Sequence, residues 1–366
     1  VQYAPTPVAV SSSRPAGTFA NKDQVVVQSF MFHDWDVYAY SEKTYEESPM
    51  GRMTEECGPG SPWHTRGKST TTEHLVNEYT GVLSCGRYAM TTDVSITRLD
   101  QYEAGTLNVT RTTDEDRNKT IEFTDKLGRR ILTRRFDGPT ILDTYYIYDD
   151  LGLLRYVLTP EASSTMSANK TYNDSASPLS TQAYIYKYDA KGRCISKKFP
   201  GTEAVLIRYD KADRQVFTQD GIQRSEGIWL YSVRDFLGRE AVRGIWKAAS
   251  VPDLSGTVAM ATFSGTSAAG TTGGYSVNLS IPSGSSLMSA SYYDDHSFTG
   301  SLPSGTASHL AADSRSGYGV PDSGSGRLKG LLTGSKEVSL DNPASESVTS
   351  LHYDALGRMT QSHTAE

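Results

Sequence analysis

YDALGRMTQSHT, Tyr353 to Thr364, places Asp354, Gly357 and Arg358 directly after a tyrosine. Alone it is a turn. Its weight comes from its return: FTDKLGRR from Phe123, YIYDDLGLLRY from Tyr146, YKYDAKGRC from Tyr186, IRYDKADRQ from Ile207 and YSVRDFLGRE from Tyr231. A worn copy, SYYDDHSFTG, starts at Ser291, and YEESPMGRMTEECGPG from Tyr45 reads as a further candidate. The marker aspartates are Asp125, Asp149, Asp189, Asp210, Asp235, Asp294 and Asp354, spaced by 24, 40, 21, 25, 59 and 60 residues. The short intervals define a unit of little more than twenty residues, and the long ones leave room for two or three. Such an internal repeat governs the expected fold.

Each unit reads as one β-hairpin. Tyr146 and Tyr148, or Tyr186 and Tyr188, stand two apart and share a strand face. The Asp carboxylate is suited to accept a backbone N–H two residues on, which holds a type I turn. Gly128, Gly152, Gly192, Gly238 and Gly357 supply positive φ. Arg129, Arg193, Arg239 and Arg358 open the returning strand and are placed to meet the outgoing Asp or Tyr, by ion pair or cation–π contact. The same set includes Tyr148, Tyr188, Tyr209 and Tyr353. Two departures carry expectations. Asp213 takes the place of glycine and tolerates the left-handed region; Leu153 takes the place of arginine, so that hairpin is expected to keep its turn and lose its cross-strand charge. Single hairpins are marginal in water, so the units must stack.

The expected class is all-β: hairpins stacked into a curved, spiralling sheet over residues 120–366, preceded by a β domain over 23–119 and a flexible Pro/Ser/Ala-rich segment over 1–22. QVVVQSF, WDVYAYSEKTYEES and GRMTEEC read as strands, and CGPGSPWHTRGKSTT as a loop. Gly/Ser-rich insertions or hairpin tips are expected near 163–180 and 248–326. Twenty-two tyrosines against 10 Phe and 4 Trp suit half-buried pleated surfaces. A net charge of -6 without a basic run excludes a nucleic-acid footprint, and no apolar stretch has membrane-span length. Three cysteines make no disulfide framework. The chain opens without a signal peptide and reads as mature or as an excised piece.

YDAKGR (Tyr188 to Arg193) and YDALGR (Tyr353 to Arg358) closely resemble the Rhs/YD-repeat family, which includes bacterial polymorphic toxins, the C component of insecticidal toxin complexes and the animal teneurins. The likeness covers roughly residues 120–366; YSEKTYEESPMGRMTEECGPGSPW, RTTDEDRNKTIEFTDKLGRR and RLKGLLTGSK resemble the N-terminal part of long bacterial Rhs-type secreted or surface proteins. The resemblance implies a β-sheet shell that encloses a C-terminal, often toxin-like, polypeptide. It implies a secreted or cell-surface location, with the rest of a longer chain as partner, and no catalysis, cofactor or metal. This chain is expected to supply part of such a wall. The rival expectation is an adhesin or carbohydrate-binding module with Trp35 or Trp63 stacked on sugar, taking a glycan or protein ligand.

Other constellations have bland readings beside sharp ones. Asp114, Asp116, Asn118 and Asp125 have calcium-loop spacing, but Lys119 stands where glycine is needed, so a polar turn is the stronger reading. Cys57, His64, His74 and Cys85 lack the tight spacing of zinc ligands. HDWD, His33 to Asp36, reads first as a strand end. The pairs Asp149/Asp150 and Asp294/Asp295 suggest glycosidase acids, yet neighbouring strand residues face opposite ways. No nucleophile elbow, phosphate loop or dinucleotide fingerprint is present.

Overall fold

The computed structural model describes residues 2–3, 22–265, 272–302, 304–313, 328–342 and 345–366. Most of the expected 1–22 segment and parts of the expected 248–326 insertion lie outside them. The chain is predominantly antiparallel β-structure with a few short helices. It forms two compact units: Val1–Tyr186 with Phe199–Gly201, and Lys187–Lys198 with Thr202–Glu366. The division thus falls after Tyr186, whereas the sequence reading put its boundary at 119/120.

In the first unit each strand pairs with the next in the sheet. Tyr40–Tyr45, Met53–Cys57, Ser69–Val76, Asn108–Thr113, Lys119–Thr124, Arg130–Asp137, Thr140–Tyr148 and Leu154–Leu158 follow in order. Leu158 then pairs with Ala183 at the start of the next strand. A three-stranded sheet of Gly86–Thr92, Ser95–Gln101 and Lys170–Asn173 supplies a second layer. Tyr88 from this layer meets Tyr145 of the main sheet with ring centres 4.9 Å apart. Ile96, Phe123, Leu132, Tyr156, Leu158 and Leu179 are fully buried in the shared core. Each such side chain contributes about 1.5–3 kcal/mol.

In the second unit another meander runs through Cys194–Lys198, Val205–Tyr209, Gln215–Gln219, Trp229–Arg234, Glu240–Trp246, Ser286–Tyr293, Leu332–Val338, Glu346–Tyr353 and Met359–Ala365. One face carries Phe217, Trp229, Tyr231 and Trp246, which pack with Tyr275 from a small ribbon of Ala261–Phe263 and Tyr275–Val277. Trp229, Tyr231 and Val233 alternate with the less buried Leu230, Ser232 and Arg234, the pattern of a sheet covered on one face.

Two expectations need correction. QVVVQSF is not a strand: it lies in a helix, Lys22–Phe32. Three successive valines give no alternation of polar and apolar residues, and β-propensity yields to context; Asp23 in the first turn and buried Ser29 suit the helix. The loop from Cys57 contains a short helix, Ser61–Thr65. The 163–180 stretch stands between two paired strands of the main sheet and includes parts of the helix Pro160–Thr165, capped by Thr159, and of the helix Leu179–Gln182, with the strand Lys170–Asn173 between them.

Candidate functional site: the row of turn carboxylates

Six of the seven marker aspartates share one geometry, Asp294 being the exception. Asp125 accepts backbone N–H bonds from Leu127 and Arg129 on one oxygen, at 2.9 Å each, and Arg129 Nε at 2.7 Å on the other. The backbone closes twice, Gly128 N–H to Asp125 O and Asp125 N–H to Arg129 O. Both N–H bonds to the carboxylate recur at Asp149, Asp189, Asp210, Asp235 and Asp354. Gly128, Gly152, Gly192, Gly238 and Gly357 have φ of 78°, 80°, 76°, 84° and 75°, and Asp213 has 60° in the same place. At Asp125 burial pushes the carboxyl up, but the bonds from Arg129 outweigh it and hold the group below the usual carboxylate range.

A β-bulge follows each of these turns where the pairing register is defined. Phe123 faces Leu132 while Thr124 faces Arg130, which leaves Ile131 as the extra residue. The same register shift makes extra residues of Arg155, Val216, Ala241 and Thr360. A bulge turns two successive side chains inward, and Ile131/Leu132, Val216/Phe217 and Ala241/Val242 are all buried.

Tyrosine and arginine link neighbouring hairpins. Arg129 lies 5.2 Å from the ring centre of Tyr148, Arg193 4.8 Å from that of Tyr209 and Arg239 4.2 Å from that of Tyr293. In every case the ring belongs to the following hairpin. Tyr209 O–H donates to Cys194 O at 2.9 Å, Tyr293 O–H to Glu240 O at 2.9 Å and Tyr353 O–H to Leu332 O at 2.6 Å. Each acceptor directly follows the arginine position of the preceding hairpin. Each Arg thus pairs with its own Asp and stacks on the next hairpin's Tyr, so one side chain closes a turn and joins it to its neighbour.

Several participants were not singled out from sequence. Arg214 pairs with Asp210, whose carboxylate is fully buried and also accepts Ala259 N–H. At the second marker the charge is not lost with Leu153: Arg155, the bulge residue, reaches Asp149 at 3.3 Å. Asp114 makes the same turn with Arg117 at φ 69° for glycine and Asn118 for arginine. Glu46 makes a longer version, taking Arg52 Nε at 2.7 Å and Nη2 at 3.0 Å, which holds its carboxyl at about 2. Asp294 shows how the long intervals arise. Asp294 N–H bonds to Leu331 O and Tyr293 pairs with Leu332, so the turn is opened by an excursion and closed again. Gly330, φ 87°, keeps the glycine role, and Arg239 from the previous hairpin supplies two bonds to Asp294. Those bonds hold the Asp294 carboxyl at about 2. Among the described residues, the long intervals therefore hold excursions and no further turn of the marker-aspartate kind.

The other candidates resolve into local bonding. Asp114 spends its carboxylate on Asp116 N–H and Asn118, which is the polar turn. Among the described residues no group of three His, Cys, Asp or Glu gathers as metal ligands. Cys57 Sγ faces Lys68 O, His64 Nε2 lies 3.1 Å from Tyr40 O, and Cys85 is buried in the core. Asp36 accepts Ser61 Oγ at 2.6 Å, Ser61 N–H at 2.7 Å and Tyr38 N–H at 2.8 Å, and these bonds, Ser61 Oγ foremost, lower its pKa. Asp295 accepts Ser297 N–H. Trp35 is 68 % exposed, while Trp63 lies against Gly58. No helix among the described residues is long and apolar enough to cross a membrane.

A family model described as a domain of unknown function (DUF6443) matches residues 1–76, the part that contains the Glu46–Arg52 turn. No curated protein matches the chain. Among solved structures it is similar to TcdB2-TccC3, with a TM-score of 0.44 and 12% identity over 92% of this chain and 14% of that one. TcdB2-TccC3-Cdc42 gives 0.43 and 12% over 92% and 14%. TcdB2-TccC3 without its hypervariable C-terminal region gives 0.42 and 12% over 87% and 13%. This chain thus spans about a seventh of the length of those it matches.

Proposed function

We propose that this chain is a non-catalytic wall segment of a larger secreted or cell-surface protein, a β-sheet shell of the YD-repeat type that encloses a polypeptide. The observation that carries this reading is the Tyr–Arg contact between successive hairpins. At the turns of Arg129, Arg193 and Arg239 the residues with catalytic potential, Asp and Arg, are consumed in closing the hairpin and fastening the next one. A wall needs such a joint, because a lone hairpin is marginal and a stacked series is stable. The sheet of the second unit has one covered face and one more open, polar face, which suits a boundary between two compartments.

Immunoblotting of the producing cells under denaturing conditions, with electron microscopy of the purified native particle, tests the reading. A band far above 39.9 kDa and a hollow particle are expected. A band at the size of this chain, without a particle, would overturn it. Exposed Trp35 favours a glycan-binding module as the second reading. Saturable glycan-array binding that is lost in Trp35→Ala would put that module first.

A further inference from the structure

We infer that Arg234, Arg243 and Glu240, on the open face of the second unit's sheet, bind a phosphate group that keeps an O–H. The inference goes beyond the wall reading and does not rest on it. Its first sign is a break in the repeat. Tyr148, Tyr188, Tyr209, Tyr293 and Tyr353 stand directly before marker aspartates, whereas Thr124 precedes Asp125 and Arg234 precedes Asp235. At Asp235 the joint therefore has no ring to offer, and Arg214 of the preceding hairpin bonds to Asp210 and to Ala259 O instead. A cation stands where the local pattern calls for an aromatic, and departures of this kind concentrate at functional sites.

Strand pairing gathers further groups around Arg234. Across the pair formed by Trp229–Arg234 and Glu240–Trp246, Glu240 faces Arg234 and Arg243 faces Ser232. Cross-strand partners share a sheet face; here it is the face on which Ser232 and Arg234 alternate with buried Tyr231 and Val233. With Gln215 and Thr218 these residues line a cavity of about 250 Å³. That is several times the ~30 Å³ share of one water. Glu240 is the one carboxylate in the lining, and it turns to Ser232, whose Oγ donates to Glu240 Oε2 at 2.7 Å. Among the described residues neither arginine has an ion pair or a hydrogen-bond acceptor, and Arg234 Nε is shut off from solvent. By contrast, Arg134, Arg155, Arg193 and Arg239 each hold an aspartate within 3.3 Å. A buried donor without an acceptor points to an ion or a water. Guanidinium forks match the oxygens of a phosphate. Two guanidinia against one carboxylate leave the cavity one net positive charge. The other oxygen of Glu240, Oε1, has no partner among the described residues and remains to accept an O–H. Inorganic phosphate carries an O–H near neutral pH and sulfate carries none, so the site favours phosphate.

Titration of the whole chain with inorganic phosphate at about pH 7 and constant ionic strength, followed by amide chemical shifts, tests this. Saturable shifts are expected within residues 215–218, 230–234 and 240–243, with sulfate at least about fivefold weaker. Arg234→Gln and Arg243→Gln should each weaken phosphate binding about tenfold or more. Melting temperature should hold in both, because neither arginine has a partner to lose. Arg234→Tyr, which restores the residue of the repeat, should abolish binding and keep the fold. Glu240→Gln should bring sulfate level with phosphate. Phosphoserine run alongside separates the sources: binding of both points to a phosphorylated partner, and binding of inorganic phosphate alone points to the free ion. Shifts that fail to saturate, or binding that survives both arginine substitutions, would overturn the site. Sulfate as tight as phosphate on the parent chain would overturn the role of Glu240 and, with it, the choice of phosphate.

Discussion

A carboxylate that accepts two backbone N–H groups and a guanidinium is worth what its surroundings make of it. Asp210 and Asp354 make the same turn, yet the Asp210 side chain has no exposure and its arginine 18%, whereas Arg358 is 73% exposed. Asp210→Ala should leave a largely buried guanidinium without its countercharge and Ala259 N–H unsatisfied, costing about 3–5 kcal/mol. Arg358→Ala should cost under about 1 kcal/mol, as exposed ion pairs do. Urea titrations of both variants check the contrast; equal losses would mean that burial does not set the strength of these turns. Glycine follows similar logic. A side chain at Gly357 would meet nothing closer than Leu331 Cδ1 at 3.9 Å, so only backbone strain opposes it. Gly357→Val should lower stability by about 2 kcal/mol, and Gly357→Asn by under about 1 kcal/mol. Thermal melts of both against the parent, and of Gly192→Val, measure this, and unchanged melting would refute the positive-φ requirement.

Between one hairpin and the next, the joint is a pair of contacts that a double-mutant cycle can separate. Tyr209→Phe removes the bond to Cys194 O and keeps the ring over Arg193, so a loss of about 1 kcal/mol is expected. The cycle of Arg193→Ala with Tyr209→Ala should return a coupling of about 0.5–1 kcal/mol. Zero coupling, measured by equilibrium unfolding, would mean that the stacked geometry carries no energy. The turns themselves were legible in the sequence, because Asp, a positive-φ residue and Arg act within five positions of one another. The joints were only half legible. That Arg meets a Tyr could be read, but which Tyr depends on strand order, which local pattern does not encode. Arg155 was missed because it acts from the bulge, where period-2 reading fails. The adjacent apolar pairs Ile131/Leu132, Val216/Phe217 and Ala241/Val242, which break polar–apolar alternation, were the available signal. The opened turn at Asp294 was hidden by distance along the chain, since its closing residues Gly330 and Leu331 lie beyond a long excursion.

Over the chain as a whole, acid should loosen the second unit first. His352 is buried, its Nε2 bonds to Leu310 O at 2.9 Å, and its ring stacks on His296 at 4.6 Å with His363 edge-on at 5.5 Å. Burial, reinforced by the two neighbouring imidazoles, lowers its pKa below the ordinary 6.5. The folded state therefore binds the proton less readily than the unfolded chain does. By linkage, stability is full above about 6.5 and falls as pH drops from there toward the folded value. The contacts at stake hold the excursion to the sheet: Ser350 Oγ to Leu310 O, Asp313 N–H to Gln361, and His296 Nε2 to Leu351 O. A second loss comes lower, between about 4 and 2, as the carboxylates with depressed pKa, Asp294 and Glu46 at about 2 among them, are protonated. Melting temperature measured from pH 7.5 down to 2 should fall in two steps, and hydrogen exchange should place the first within residues 286–366. In His352→Asn, which cannot take up a proton, the upper step should shrink while the lower one stays. An upper step that persists unchanged in that variant would assign it to groups elsewhere in the chain. The imidazole stack would then be packing alone, with no part in the acid response of the second unit.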